Sequence, residues 1–385
     1  MIGRFPITHI SVANALGSDT DEVRDALLAG RSGLRKEAVG TQTSWVGRVG
    51  KLPELPHSMA IYDARQARLA LASMSDLLDG LHVAIDRWGA ERVGLVLGTT
   101  TGGMDTLERL YAEHEGHIPA ARGLAHRHPF HVVPELIALQ TGLSGPRYVV
   151  STACTSSAKA LASAARMLDL GFADACLVGG VDSLCDFTLR GFASLKILSA
   201  HRCRPFSAGR DGINLGEGGA WLLMERSGVA RATVRGVGET TDAYHMTAPH
   251  PEAEGASSAI SRALIEAEVE ACDIAFINAH GTGTLHNDAS EALALRRVFG
   301  QVPPVVSTKP LTGHQLGAAG ATEAVFTILC LEAQQIPGTL GAEPLDELLG
   351  IPVSESAQRV AGRLALSNSF GFGGSNAAVV LEVPA

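Results

Sequence analysis

A chain of 385 residues, 46% hydrophobic and 18% charged, has the apolar content for a large core and is not a disordered polymer. Its formal charge of −9 argues against a general nucleic-acid binder but leaves room for a local basic patch facing an acidic protein partner. Six cysteines without CxxC spacing, and without histidines at zinc-site spacing, are expected as free thiols in a reducing cytoplasm.

The N-terminus, "MIGRFPITHISVANALG", lacks a basic segment followed by a sustained apolar one, so no signal peptide is expected. A helix is predicted over 19–29 and another over 61–79. Strand-like apolar runs follow at 94–100 and 148–153, then a helix at 156–170. Further strands are predicted at 175–181 and 220–226. The stretch "RSGVARATVRGVG" (226–238) is polar, then restarts β-prone, and reads as a seam. Beyond it come a helix (257–271), a strand (274–280), a helix (288–298), a strand (304–309), a helix (318–333) and strands at 363–369 and 376–383. Runs of this length without alternation suit strands covered on both faces, so the chain is a layered α/β protein. The apolar stretch "AAGATEAVFTILCL" is broken by Glu323 and reads as a buried helix; no membrane-spanning helix is expected. Both sides of the seam alternate strand and helix similarly, yet no convincing sequence repeat is visible.

Chemistry-bearing residues gather at element boundaries. Cys154, in "YVVSTACTSSAKAL", sits between a strand and an Ala-rich helix. A helix N-terminus favours a thiolate, so Cys154 is a candidate nucleophile, with a buried inert thiol as the alternative. Ala158, Leu161, Ala162, Ala165 and Leu168 form one face of that helix, and Thr155 or Ser156 is positioned to cap it. Cys176, Cys185, Cys203, Cys272 and Cys330 have no comparable setting. His280 ends a strand in "NAHGTGT" and can face a cleft. Lys309 and His314 share the loop "STKPLTGHQLGAAG". "SNSFGFGGSN" lacks phosphate-loop spacing and precedes a strand, so it reads as a backbone N–H donor turn with Phe370 and Phe372 as apolar gates. A thiol, two histidines, a lysine and a donor-rich glycine loop suit acyl transfer through a thioester.

The motifs "STACTSSAKAL", "RPFSAGRDG…LGEGGA", "DAYHMTAP", "NAHGTGT", "STKPLTGHQLGAAGATE" and "SNSFGFGGSN" together resemble the elongating β-ketoacyl–acyl carrier protein synthases, in that family's order and over nearly the whole chain. The resemblance implies a thiolase fold, a duplicated five-layer αβαβα sandwich, with halves at 1–230 and 231–385. It implies a decarboxylative Claisen condensation with malonyl–acyl carrier protein, and no metal or redox cofactor. By motif position it makes Cys154 the acylated nucleophile and His280 and His314 the active-site histidines. Lys309 is expected to orient His314, and Glu291 to balance Lys309. Phe370 is the implied gate whose N–H joins that of Cys154 in the oxyanion hole. Thr282 and Thr284 would hold the phosphopantetheine arm, and Thr101 would limit acyl depth. Asn278, Glu323 and Ser367 match a structural-cation position of some members. The implied partners are acyl carrier protein and a second ketosynthase-like subunit, identical or different. Arg65, Arg68, Arg122 and Arg127 are candidates for the carrier's basic landing site.

The chain is short for the family, and "LKILSAHRCRPFS" is tighter than the matching loop. "SLCDFTLRGFASL" and "WVGRVGKLPEL" are similar to ketosynthases of bacterial aryl-polyene clusters, so fatty acid and polyketide or aryl-polyene elongation both remain open. The glycine loop carries no second cysteine, against a thiolase, and two histidines stand where a chain-initiating synthase has His and Asn. A non-catalytic partner subunit resembling a chain-length factor would lack the nucleophile.

Overall fold

The computed structural model describes residues 3–114 and 126–385. Its first pass runs β1 (Pro6–Asn14), α1 (Thr20–Leu28), β2 (Leu34–Val39), β3 (Gln42–Gly47), α2 (Arg65–Ser73), α3 (Leu78–Trp88), β4 (Val93–Gly98), α4 (Met104–Glu113), α5 (Val132–Thr141), β5 (Arg147–Val150), α6 (Ser156–Asp169), β6 (Ala175–Asp182), α7 (Asp186–Ser194), β7 (Leu215–Gly216) and β8 (Gly218–Glu225). The second runs β9 (Ala232–Thr241), α8 (Glu254–Ala267), β10 (Ile274–Asn278), α9 (Leu285–Val298), β11 (Val305–Val306), α10 (Lys309–Thr312), α11 (Ala319–Ala333), β12 (Gln335–Ile336), β13 (Gln358–Arg359), β14 (Leu364–Gly371) and β15 (Ser375–Glu382).

The duplication that the sequence hides is explicit in the strand order. One half orders its strands β5-β4-β6-β8-β1 and the other β11-β10-β14-β15-β9. In chain order within each half, both read third, second, fourth, fifth, first. The pairings match as well. The two contacts made by β4, and the two made by β10, are parallel. The remaining contacts in each half are antiparallel. Pairing of Pro6 with Thr233 and Ile7 with Ala232 joins the halves through β1 and β9.

Composition explains the layers. β4, β6 and β8 are buried at every position, as strands covered on both faces must be. α6 and α11 form the shared middle layer: α6 packs on β4 and β6 and reaches β15, while α11 packs on β14 and reaches β8. Both are rich in small residues, and a Cβ at Gly320 would come within 2.6 Å of Ala158 N. Glycine at that position lets the two helices touch. α2 and α3 cover the first half-sheet from outside, and α8 and α9 cover the second. The result is helix, sheet, helix, sheet, helix, the five-layer order that the resemblance implies.

Several boundaries differ from expectation. β1 is missing from the sequence reading because Thr8, His9 and Ser11 interrupt its apolar run, yet it lies inside the joined sheet. The helix expected over 61–79 breaks near Met74, where Asp76 accepts from Thr20 N at 2.8 Å and from its hydroxyl at 2.6 Å. The strand expected over 304–309 shrinks to Val305–Val306 because the chain turns into α10. Leu316–Ala333 is the one described stretch long and apolar enough by composition to cross a membrane, but 89% of it is buried within the protein.

Candidate active site

Strand ends from both halves converge on one cavity, whose lining includes Cys154, His280, His314, Phe370 and Phe372. Cys154 lies four residues past the end of β5 and is 7% exposed. The turn is tight because Ala153 takes a left-handed φ of 53°, a strained conformation for alanine that costs on the order of 1 kcal/mol. Ser156 Oγ donates to Ala153 O (2.6 Å) and accepts from Thr152 N (2.9 Å), which pins the bend. Thr155 occupies the N-cap of α6 but makes no capping bond; its hydroxyl donates to Thr152 O instead.

His280 lies two residues past β10. Glu291 holds the turn there by accepting from the N–H groups of His280 and Gly281, both at 2.8 Å, and Asn368 Nδ2 donates to the same carboxylate at 3.1 Å. His314 stands between α10 and α11, with its N–H on Asn214 O and its C=O accepting from Gly216 N. The thiol sulfur and one nitrogen from each ring all lie within 4.8 Å of one another. The rings meet edge to face, 5.3 Å between centroids.

The tautomers follow from the partners. Lys309 Nζ, a donor only, lies 3.3 Å from His280 Nδ1, and Leu316 N–H donates to His314 Nδ1 at 3.2 Å. Both Nδ1 atoms are therefore acceptors, and both Nε2 atoms carry the proton. His314 Nε2 is buried with no protein partner. Burial, then the Lys309 charge, holds both imidazoles well below the usual histidine pKa, so they are neutral donors near pH 7. This thiol–imidazole trio is the one described cluster spaced for a metal ion, but a metal would have to displace those Nε2 protons.

Burial pushes the Cys154 thiol up to about 11, against the pull of Lys309 and of backbone N–H groups. Cys203 and Cys330 go to about 12. Desolvation outweighs those pulls, and Cys154 rests protonated.

Some expected roles move to other residues. The backbone N–H at the Cys154 sulfur belongs to Phe372, not Phe370. Phe370 is still inside the β14–β15 ladder, opposite Asn376, with its ring 6.0 Å from that of His280. The Phe372 ring stacks on Phe192 at 5.5 Å, and both line the cavity. Lys309 pairs with Glu323 at 2.5 Å, not with Glu291, and contacts His280 rather than His314. Nothing in the spacing of Lys309 and Glu323 signals that buried pair. Lys309 thus neutralises the one charged member of the expected cation set Asn278, Glu323 and Ser367. Asn278 Nδ2 donates to Glu323 O, Ser367 lies within β14, and Glu323 Oε2 is buried without a protein partner.

Thr282 and Thr284 line the cavity, hydroxyl to hydroxyl at 2.9 Å. Thr101 does not line it: its N–H and hydroxyl both donate to Asp182. Arg65 is tied to the buried Glu217 and Arg68 to Asp63, so neither offers free positive charge. Arg127 donates to the carbonyls of Ile61 and Ala60, and Arg122 lies outside the described residues.

A thiol facing two neutral N–H donors and a glycine loop is an acyl-transfer arrangement, and comparison with known proteins agrees. The family profile "Beta-ketoacyl synthase, N-terminal domain" matches residues 6–230, and "Beta-ketoacyl synthase, C-terminal domain" matches 231–343. The chain is 32% identical to 3-oxoacyl-[acyl-carrier-protein] synthase 2 of Vibrio harveyi, covering 98% of each chain. The Coxiella burnetii protein of the same name is also 32% identical, with the same coverage.

The chain belongs to the β-ketoacyl synthase family.

Solved ketosynthases share its thiolase fold. One chain of the complex of the ketosynthase ApeO with its chain length factor ApeC, from Xenorhabdus doucetiae, superposes at a TM-score of 0.92. It shows 34% identity and covers 100% of this chain and 98% of that one. The ishigamide ketosynthase/chain length factor superposes at 0.90 with 29% identity over 100% of both chains. As a β-ketoacyl synthase the protein is an acyltransferase, and its reaction is the Claisen condensation that elongates acyl chains.

Proposed function

We propose that Cys154 is the acyl-bearing nucleophile and that His280 and His314 drive decarboxylation. The observation that carries this reading is the 4.8 Å cluster of one thiol and two neutral imidazoles. In the first stage Sγ attacks the carbonyl carbon of an acyl thioester. The oxyanion forms against the N–H groups of Cys154 and Phe372, the bond to the incoming thiol carrier breaks, and the Cys154 proton ends on the departing sulfur. In the second stage the malonyl thioester oxygen faces the two Nε2–H donors. The bond to the carboxylate breaks, CO2 leaves, and the electron pair becomes an enolate held by those donors. The enolate carbon attacks acyl-Cys154, the carbon–sulfur bond breaks, and Sγ takes up one proton. Atoms and electrons close without a metal or redox cofactor.

Lys309 fixes the His280 tautomer and adds positive potential, and Glu323 offsets its charge. Glu291 positions the His280 turn, Phe370 walls the histidine side and Phe372 gates the cavity. Thr282 and Thr284 are placed for a phosphopantetheine arm. The names of the curated relatives support acyl carrier protein as the substrate carrier. In this reading residues 1–230 form the half carrying Cys154, and 231–385 the half carrying the histidines and the gating loop. The setting is cytoplasmic.

A second subunit completes the assembly. Among the described residues β5 pairs only with β4, leaving an open sheet edge beside exposed Tyr148, Leu170 and Phe172. The ketosynthase/chain-length-factor neighbours favour a heterodimer and polyketide-type elongation. The finer aryl-polyene assignment rests on the stretches "SLCDFTLRGFASL" and "WVGRVGKLPEL" alone. The alternative, a non-catalytic partner, conflicts with the intact cluster. Cys154→Ala is expected to abolish condensation of acyl and malonyl carrier thioesters. Elongation at the parental rate in that variant would overturn the nucleophile assignment.

A further inference from the structure

Asp182 closes β6 and is fully buried, yet lies outside the cavity. Its Oδ1 accepts from Thr99 Oγ1 (2.7 Å), Thr100 N (2.9 Å), Thr101 N (2.9 Å) and Thr101 Oγ1 (2.8 Å). Its Oδ2 accepts from Thr100 Oγ1 (2.7 Å) and, across the junction of the halves, from Gly317 N (2.6 Å). Gly317 lies three residues past His314. A Cβ there would come within 2.8 Å of Asp182 Oδ2 and 3.0 Å of the Thr99 carbonyl carbon, so the close approach requires glycine.

Between them Leu316 takes a left-handed φ of 51°, which persists in a leucine only where its surroundings enforce it. The N–H of that residue is the donor to His314 Nδ1. We infer that Asp182 is a positioning residue for His314: by holding Gly317 it keeps Leu316 N–H on Nδ1 and so keeps the donor proton on Nε2. His280 has separate anchors in Glu291 and Lys309, so the effect falls on one histidine. The inference rests on the proposed role of His314 in decarboxylation.

Asp182→Asn turns one acceptor into a donor facing donors. In the purified protein three quantities decide the matter: acyl loading of Cys154, CO2 release from malonyl carrier thioester, and the imidazole 15N spectrum. Loading is expected to stay within about 3-fold. CO2 release is expected to fall roughly 10-fold to 100-fold, as when an outer hydrogen-bond support is lost. His314 alone should lose its Nε2–H signature. Adding Leu316→Gly should recover part of the CO2 release, since glycine takes the left-handed turn unenforced. An unchanged His314 spectrum and CO2 release would overturn the inference, as would parallel loss of loading and decarboxylation with both histidines altered. Should D182N not fold, amide exchange on the parent protein decides: protection of Gly317 N–H at the level of α11 supports the inference, and loop-like exchange overturns it. A parent protein that releases no CO2 would contradict the proposed function instead, while the spectrum and exchange still judge Asp182.

Discussion

Cys154 is a buried thiol that becomes a nucleophile only as its proton leaves. With its pKa pushed up to about 11, the rate of thiol alkylation at Cys154 should rise continuously from pH 7 to pH 10 without a plateau. A plateau below pH 8 would contradict the burial argument. Glu291 offers a second titration. Burial raises its carboxyl from 4.5 to about 7, so the folded state holds the proton more tightly than the unfolded one. Its contribution to stability is complete below about pH 4.5 and is lost as pH rises through 7. The stability difference, parent minus Glu291→Gln, should therefore shift against the parent across that window; a pH-independent difference in denaturant midpoints would refute it. His280→Ala or His314→Ala removes one proposed enolate donor and should slow malonyl decarboxylation by roughly 10²–10³-fold, measured as CO2 release. Cys154, His280, His314 and Lys309 are legible in the sequence because each stands in a run of small residues at an element boundary. Their partners are not. The Lys309–Glu323 pair and the turn from Phe370 to Phe372 depend on how α11 and the glycine loop pack, which no local pattern encodes.

At the scale of elements, the middle layer sets the site. α6 starts two residues after Cys154 and α11 follows His314, so the contact between these helices fixes the spacing of the thiol and the imidazole. Gly320→Ala should force a clash with Ala158 and destabilise the fold by about 1–3 kcal/mol, read as a lowered denaturation midpoint. An unchanged midpoint would mean that the helices separate freely. Most buried strands are legible because their apolar runs do not alternate. β1 is not, since Thr8, His9 and Ser11 mimic a loop until β8 and β9 pair on either side of it.

In the whole molecule, each half supplies what the other lacks: the first gives Cys154, and the second gives the histidines, Lys309 and the glycine loop. The twofold strand order is invisible in the sequence because topology constrains burial and direction rather than residue identity. The open β5 edge belongs to this scale too. With the β5 edge as the proposed subunit interface, Tyr148→Asp should lower the sedimentation coefficient of the assembly, and an unchanged coefficient would place the interface elsewhere. Intact-protein mass spectrometry after incubation with an acyl carrier thioester reads out whether Cys154 carries the acyl chain. One acyl adduct is expected, mapping to Cys154, absent from Cys154→Ala and discharged by malonyl carrier thioester. No adduct on the parent protein, or one that persists in Cys154→Ala, would contradict it.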